Sequence, residues 1–151
     1  MNRLSQRPGP GVPRALVLHR VSATALFLTT LVQVALGAGY IGGDYESIVP
    51  HDVNARVLVG LALLTLITAV LLRRRGGPVR AVAVSAVLLV ALVAQTVLGV
   101  RRVVAVHVTL GVIIFAAVTV LLMRAWTESV PPKEPTPPAT AGSGRRAEPL
   151  S

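Results

Sequence analysis

Two histidines and two glutamines lie within or beside long apolar runs of this 151-residue sequence. Gln95 and His107 lie several residues inside two of the runs. Gln33 lies near the end of another run, and His51 follows Pro50 just before a fourth. Such side chains are costly in lipid, so they normally face other helices, a cavity or a ligand. Imidazole also binds metals, and the amides can both donate and accept hydrogen bonds.

The apolar runs define the elements that must position these residues. The chain is 53% hydrophobic with a mean hydropathy of +0.70. Each run approaches the roughly 20 residues needed to span a bilayer. We therefore predict an all-α transmembrane fold, a four-helix bundle occupying residues 15–126. The predicted helices cover about 15–38, 51–73, 79–100 and 103–125.

The two ends of the sequence have a different composition. Residues 1–14 and 127–151 are rich in proline and small residues and have little apolar surface to bury. Both are predicted to be disordered. The first apolar run is longer than the core of a usual signal peptide, and LGAGY is a poor cleavage site. We therefore expect the first helix to be retained.

The basic residues are distributed unevenly about the four predicted helices. Twelve lie on one side, towards the start of the first helix, the facing ends of the second and third, and the end of the fourth, and three lie on the other side. This positive-inside pattern predicts that both termini are cytoplasmic. Arginine outnumbers lysine 14 to 1, which is typical of a GC-rich bacterial genome and favours the bacterial inner (plasma) membrane. No recognition motif accompanies the charge, so nucleic acid is not an expected partner.

An internal repeat divides the bundle into two hairpins. The pattern Gln-x-x-Leu-Gly occurs at residues 33–37 and again at 95–99. Each copy precedes a loop, a histidine and another apolar run, and these runs end in VLLRR at 70–74 and VLLMR at 120–124. The repeat predicts two helical hairpins in the same orientation.

The polar residues are expected to share one depth and to face inward. Gln33 and Gln95 lie about 7 Å below the same membrane surface at a rise of about 1.5 Å per residue. His19 falls near the opposite end of the first helix. On the other three helices, polar residues and glycines recur one turn apart on one face. These residues are His51, Asn54, Gln95, Gly99, His107 and Gly111.

Three interpretations of this cluster remain open. His51 and His107 could be the two axial ligands of haem b, with Arg56 and other basic residues of that side pairing with the propionates. Alternatively, the glutamines and His107 simply form hydrogen bonds between helices. A metal ion or a proton path is a third possibility. One count opposes haem: His51 lies 22 residues from Arg73 and His107 lies 17 from Arg124, a depth difference of about 7.5 Å.

The Gln-x-x-Leu-Gly repeats and the histidines that follow them make residues 15–126 resemble one half of haem A synthase. That family has paired histidines on the second and fourth helices of each half, so the resemblance implies haem ligation by His51 and His107. Departures from the family are clear. Ile48 stands where members have glutamate, cysteines are absent, and only one half is present. The resemblance therefore does not imply the family's oxidative chemistry. The sequence also resembles small four-helix actinobacterial membrane proteins.

Known enzyme motifs are absent from the sequence. It contains no cysteine, no nucleophile–base pair, no phosphate-binding loop and no zinc-ligand spacing. We therefore do not expect an independent enzyme. The expected surroundings are the lipid bilayer and either other membrane proteins or further copies of the chain. The two functional hypotheses are a structural or accessory membrane protein and a b-type haem protein for electron transfer or haem handling.

Overall fold

The computed structural model describes residues 14–128, and in this part of the chain the backbone forms α-helices, one short 3-10 helix and no strand. The predicted all-α fold with four helices is confirmed. The disorder predicted for the two ends falls largely outside the described residues. The helices are α1 (Arg14–Ile41), α2 (Ile48–Arg74), α3 (Val79–Val100) and α4 (Val104–Thr127), with the 3-10 helix η1 at Tyr45–Ser47.

Each of the four helices is long and apolar enough to cross a membrane. Many valines lie within them, and lipid makes this compatible with helix because every backbone group must bond within its own segment. Large apolar side chains cover the outside: Val87, Val90 and Val112 are 68%, 70% and 66% exposed. An exposed apolar surface of this extent, on helices long enough to span a bilayer, indicates contact with lipid. The chain is thus a small multi-pass membrane protein.

The helices form a four-sided bundle in which each one packs against two neighbours. α1 contacts α2 and α4, and α3 contacts the same two helices. Within residues 14–128 the backbones of the diagonal pairs, α1 with α3 and α2 with α4, do not approach each other. The short connections force consecutive helices to run antiparallel, as expected for two helical hairpins.

Two of the connections depend on glycine. Gly43 between α1 and η1 has a φ of 102°, and Gly76 between α2 and α3 has a φ of 93°; this left-handed region favours glycine. A Cβ on the adjacent Gly77 would lie 2.6 Å from Leu72 Cγ and 2.9 Å from the Leu72 carbonyl oxygen. The tight turn before α3 therefore requires glycine for both backbone angle and space.

The centre of the bundle is a layer of buried apolar side chains. All four helices contribute, and Phe27 of α1 stacks on Phe115 of α4 with ring centroids 6.0 Å apart. We call this set the apolar layer; it consists of Leu26, Leu58, Ala62, Leu88, Leu92, Ile114, Val118 and Leu121. Polar side chains lie on either side of it. The bundle end that carries His51 and His107 is called the histidine end, and the opposite end the arginine end.

Helical spacing explains which polar residues face inward. The stripe on α1 continues from the arginine end through the apolar layer to the histidine end with steps of three or four residues. Its members are His19, Ser22, Leu26, Thr30, Gln33 and Gly37. The same rule places Gln95 and Gly99 in line with the buried Leu88 and Leu92 of α3. On these helices the polar residues thus lie in the same buried stripe as the apolar core residues. We call this stripe the seam of the helix.

Candidate functional site

The structure brings His51 and His107 together at the histidine end. Their ring centroids are 6.3 Å apart, and the ring planes are inclined by 58°. The two rings approach across a diagonal of the bundle, because His51 belongs to α2 and His107 to α4. With centroids 6.3 Å apart, the two rings differ in depth by less than the expected 7.5 Å. Each histidine is the fourth residue of its helix, and α2 is 27 residues long whereas α4 is 24.

A chain of hydrogen bonds fixes the orientation of His51. Asn54 Nδ2 donates to the Thr29 carbonyl oxygen at 3.1 Å and to Gln33 Oε1 at 2.7 Å. Gln33 therefore presents its Nε2, a donor, to His51 Nε2 at 3.1 Å. His51 Nε2 must then accept, which places the ring proton on Nδ1. The Thr29 carbonyl, which can only accept, thereby determines the tautomer of a histidine on another helix.

The proton on His51 Nδ1 has no partner among residues 14–128, although the atom is buried. Leaving a buried donor unpaired is costly, so such atoms usually mark an additional ligand, ion or water. The amide oxygen Oε1 of Gln95 is likewise buried without a protein partner in the described part of the chain. The histidine end therefore contains one donor and one acceptor with unused bonding capacity.

His107 is held in a different way, by the backbone of α3. Its Nδ1 lies 3.0 Å from the Gln95 carbonyl oxygen, so Nδ1 donates and Nε2 keeps its lone pair. Gln95 Nε2 in turn donates to the His107 carbonyl oxygen at 2.8 Å. A histidine whose Nδ1–H is held by a backbone carbonyl has the arrangement typical of metal ligands, with Nε2 left for the metal.

The glycine of each Gln-x-x-Leu-Gly motif supports a histidine ring. A Cβ on Gly37 would lie 3.2 Å from His51 Cε1 and 3.5 Å from its Nδ1. A Cβ on Gly99 would lie 3.1 Å and 3.3 Å from the same two atoms of His107. The two halves thus repeat one contact between equivalent atoms, in agreement with an internal duplication. Gly111 plays a related part, because its Cβ would lie 3.1 Å from Gln95 Nε2.

Arg56 lies outside this cluster. Its guanidinium pairs with Asp52 one turn earlier on α2, and both side chains are more than half exposed. In the part of the chain that the structure describes, it makes no hydrogen bond to the histidines or the amides. Asn54 and Gly111 contact the glutamines, and Gly99 contacts His107. Each glutamine contacts a histidine.

A second polar cluster lies between α1 and α2 towards the arginine end, where the sequence had indicated only an isolated histidine. His19 is 1% exposed, and its Nδ1 lies 3.3 Å from Thr68 Oγ1. The Ser22 hydroxyl lies 2.9 Å from the same Thr68 oxygen, which donates to the Thr65 carbonyl. The signal was present in the sequence, because His19 and Ser22 are three residues apart on the seam of α1.

Replacement of Thr68 tests the contribution of this cluster. The Thr68→Val variant removes a side chain that bonds both His19 and Ser22 across the interface. We expect unfolding free energy to fall by about 1–2 kcal/mol, the upper part of the range for hydrogen bonds between membrane helices. Thr65→Val is the matched control, because the Thr65 hydroxyl donates only to Leu61 of its own helix. Reversible unfolding in mixed micelles measures both; equal losses would contradict the cross-helix role.

Arg20 joins α1 to the end of α4. It donates to the carbonyl oxygens of Ala125 at 2.9 Å and Glu128 at 3.0 Å, and its guanidinium lies 5.3 Å from the Trp126 ring centroid. Arg80 of α3 bonds the Glu128 carboxylate at 2.9 Å. The last carbonyls of a helix lack intrahelical partners, so a cation from α1 satisfies them and complements the helix dipole.

Comparisons with known proteins give no relative for this chain. No protein-family model matches the sequence, and searches of curated proteins and of solved structures find no significant match. The resemblance to half of haem A synthase therefore stays a prediction.

Proposed function

We propose that this membrane protein binds one b-type haem between His51 and His107 and serves in electron transfer or haem handling. The observation that supports the proposal is the 6.3 Å separation of the two ring centroids. An imidazole nitrogen lies about 2.0–2.1 Å from a bound metal, so imidazoles on opposite sides of one ion have centroids roughly 6 Å apart. Direct hydrogen bonding between coaxial rings would bring them closer than this.

The two histidines are not equally ready to bind haem. His107 has its Nδ1–H held by the Gln95 carbonyl and its Nε2 lone pair available, so it would be able to hold haem through Nε2. His51 Nε2 is occupied by Gln33, so ligation through this atom requires that Gln33 release it. The described residues contain no group of three or more His, Cys, Asp or Glu side chains that could hold an ion. A cofactor that needs only two histidine ligands, such as haem, thus fits His51 and His107 better than a bare metal ion does.

Each neighbouring residue would have a defined part in such a site. Haem, when bound, supplies one-electron redox chemistry. The Gln95 carbonyl orients the His107 ring and increases its basicity by accepting the Nδ1 proton. Gly37 and Gly99 allow the rings to lie against the backbones of α1 and α3. The apolar layer beneath the rings excludes water from one side.

The test is a dithionite-reduced minus oxidised visible spectrum of the full-length protein, purified in detergent after expression with a haem precursor. We expect a sharp Soret and α-band pair that is lost in both His51→Ala and His107→Ala. The His19→Ala variant is the matched control and should keep the bands, because His19 lies beyond the apolar layer. A colourless wild-type protein, or bands that persist in His107→Ala, would overturn the proposal.

A second candidate function is structural, with the polar cluster acting as an interhelical network. The observation that favours it is the Gln33–His51 hydrogen bond, which occupies the nitrogen that haem iron would use. Under this hypothesis the protein stays colourless and acts as an accessory to other membrane proteins or as a homo-oligomer. The Gln33→Leu variant separates the two hypotheses. If the cluster is a structural network, this variant should be less stable than the wild type. If the protein binds haem, the variant should keep its haem, because His51 Nε2 is then free.

For the location we propose a bacterial inner membrane with both termini in the cytoplasm. Twelve basic residues on one side against three on the other support this orientation. On this arrangement the arginine end is cytoplasmic and the histidine end faces the opposite side. A haem site would then lie in the outer half of the membrane.

Orientation can be measured cleanly because the sequence has no cysteine. The Glu46→Cys variant, in the α1–α2 connection, should react with an impermeant maleimide added to intact spheroplasts. The Arg75→Cys variant, in the α2–α3 connection, should react only after the membrane is broken. The reverse pattern would contradict the proposed orientation.

A further inference from the structure

A small groove opens between α3 and α4 near the arginine end. It encloses a cavity of about 30 Å³. Its wall includes Val84 of α3 and Val120 of α4, and Val120 is 48% exposed on the surface that faces lipid. Arg80 and Arg124 also line it. The groove thus combines apolar walls with two arginines.

The two arginines differ in how far their charge is already compensated. Arg80 bonds the Glu128 carboxylate through both its Nε, at 3.0 Å, and its Nη2, at 2.9 Å. Arg124 makes no side-chain hydrogen bond to any residue within 14–128. Glu128, the acidic residue of the lining, is therefore paired with Arg80, and within residues 14–128 no acidic side chain pairs with Arg124.

We propose that this groove binds an anionic phospholipid, with its phosphate at Arg124 and Arg80 and an acyl chain along Val84 and Val120. Charge complementarity supports this occupant, because a single phosphodiester matches the one guanidinium of the lining that no acidic side chain within residues 14–128 compensates. Guanidinium groups bind phosphate oxygens through paired donors, and basic pockets between transmembrane helices are established sites for anionic lipid. The apolar walls distinguish this site from a simple anion site. The proposal does not depend on haem binding.

Native mass spectrometry of the full chain in detergent tests the site with phosphatidylglycerol and phosphatidylcholine at equal concentration. We expect selective retention of one phosphatidylglycerol. Arg124→Gln should weaken its binding about fivefold, the effect of removing one basic residue at a membrane surface. Arg74→Gln is the matched control: this exposed arginine ends α2, outside the groove, and its loss should change binding less than twofold.

A second pair of variants keeps both arginines. Val120→Phe fills the groove and should also reduce phosphatidylglycerol binding severalfold, whereas Val112→Phe, another exposed position on α4, should not. Equal retention of the two lipids would overturn the proposal. Equal losses of phosphatidylglycerol binding in Arg124→Gln and Arg74→Gln would also overturn it, because the lipid would then respond to the overall positive charge and not to this groove. Displacement by millimolar inorganic phosphate would identify an anion site in which the acyl chain has no part.

Discussion

If the protein binds haem as proposed, the Gly99→Leu variant is expected to lose the haem bands completely, and in any case to unfold more readily than the wild type. Even the first side-chain carbon at this position would lie 3.1 Å from His107 Cε1. A branched side chain requires far more room, so the ring must leave its place. It would then lose its bond to the Gln95 carbonyl and its spacing from His51. Overpacking of this kind typically costs about 1–3 kcal/mol.

Gly60 supplies the matched control for this change. It also lies within a helix, but nothing approaches within 4 Å of a Cβ built there. Gly60→Leu should therefore leave the spectrum unchanged and the stability equal or slightly higher, because glycine disfavours helix. Visible spectra and unfolding in mixed micelles measure both effects. If Gly99→Leu kept both the bands and the stability of the wild type, the contact between Gly99 and His107 would matter neither for haem binding nor for folding.

The Arg20→Met variant is expected to detach the end of α4 from α1. Methionine keeps much of the apolar stem but removes the donors to the carbonyls of Ala125 and Glu128. Hydrogen bonds that involve a charged group contribute about 1.5–3 kcal/mol, and we expect a loss near the middle of that range. Trp126 is the only tryptophan in the chain, so its emission reports the change directly.

Emission from Trp126 should shift to the red in Arg20→Met, and quenching by acrylamide should increase, because the ring loses the covering guanidinium. Arg73→Met is the control. Arg73 donates to the Gly77 carbonyl within its own turn, so its loss should leave Trp126 emission unaltered. Unchanged quenching in Arg20→Met would mean that the Trp126 indole bond to Thr24 alone positions this segment.

The four helices could be predicted because lipid allows few alternatives. An apolar run of sufficient length must satisfy its backbone internally, and helix is the simple solution. The residues at which the helices begin were harder to predict. α2 begins at Ile48, three residues before the predicted start, and includes Pro50 in its first turn. Proline is tolerated there because the first amides of a helix have no intrahelical acceptor. The apolar runs thus predicted where the helices lie but not the first turn of α2.

The gathering of Gln33, His51, Gln95 and His107 followed from depth and helical faces, both of which can be read from spacing. Their bonding partners could not be predicted in the same way. The tautomer of His51 depends on the Thr29 carbonyl, a backbone group that is identical in every residue and carries no sequence signal. Each histidine is the fourth residue of its helix, so the two are matched by where their helices begin, which a count from the opposite end does not show.

The apolar layer has a consequence for the permeability of the bundle. Polar clusters lie on both sides of it, yet Leu26, Leu58, Leu92 and Ile114 separate them and are at most 4% exposed. Thr30, beside the layer, donates to its own Leu26 carbonyl. Protons travel along chains of hydrogen-bonding groups or water, and an unpaired charge in such a layer is very unfavourable. The bundle should therefore insulate the two faces of the membrane from each other and leave the membrane potential intact.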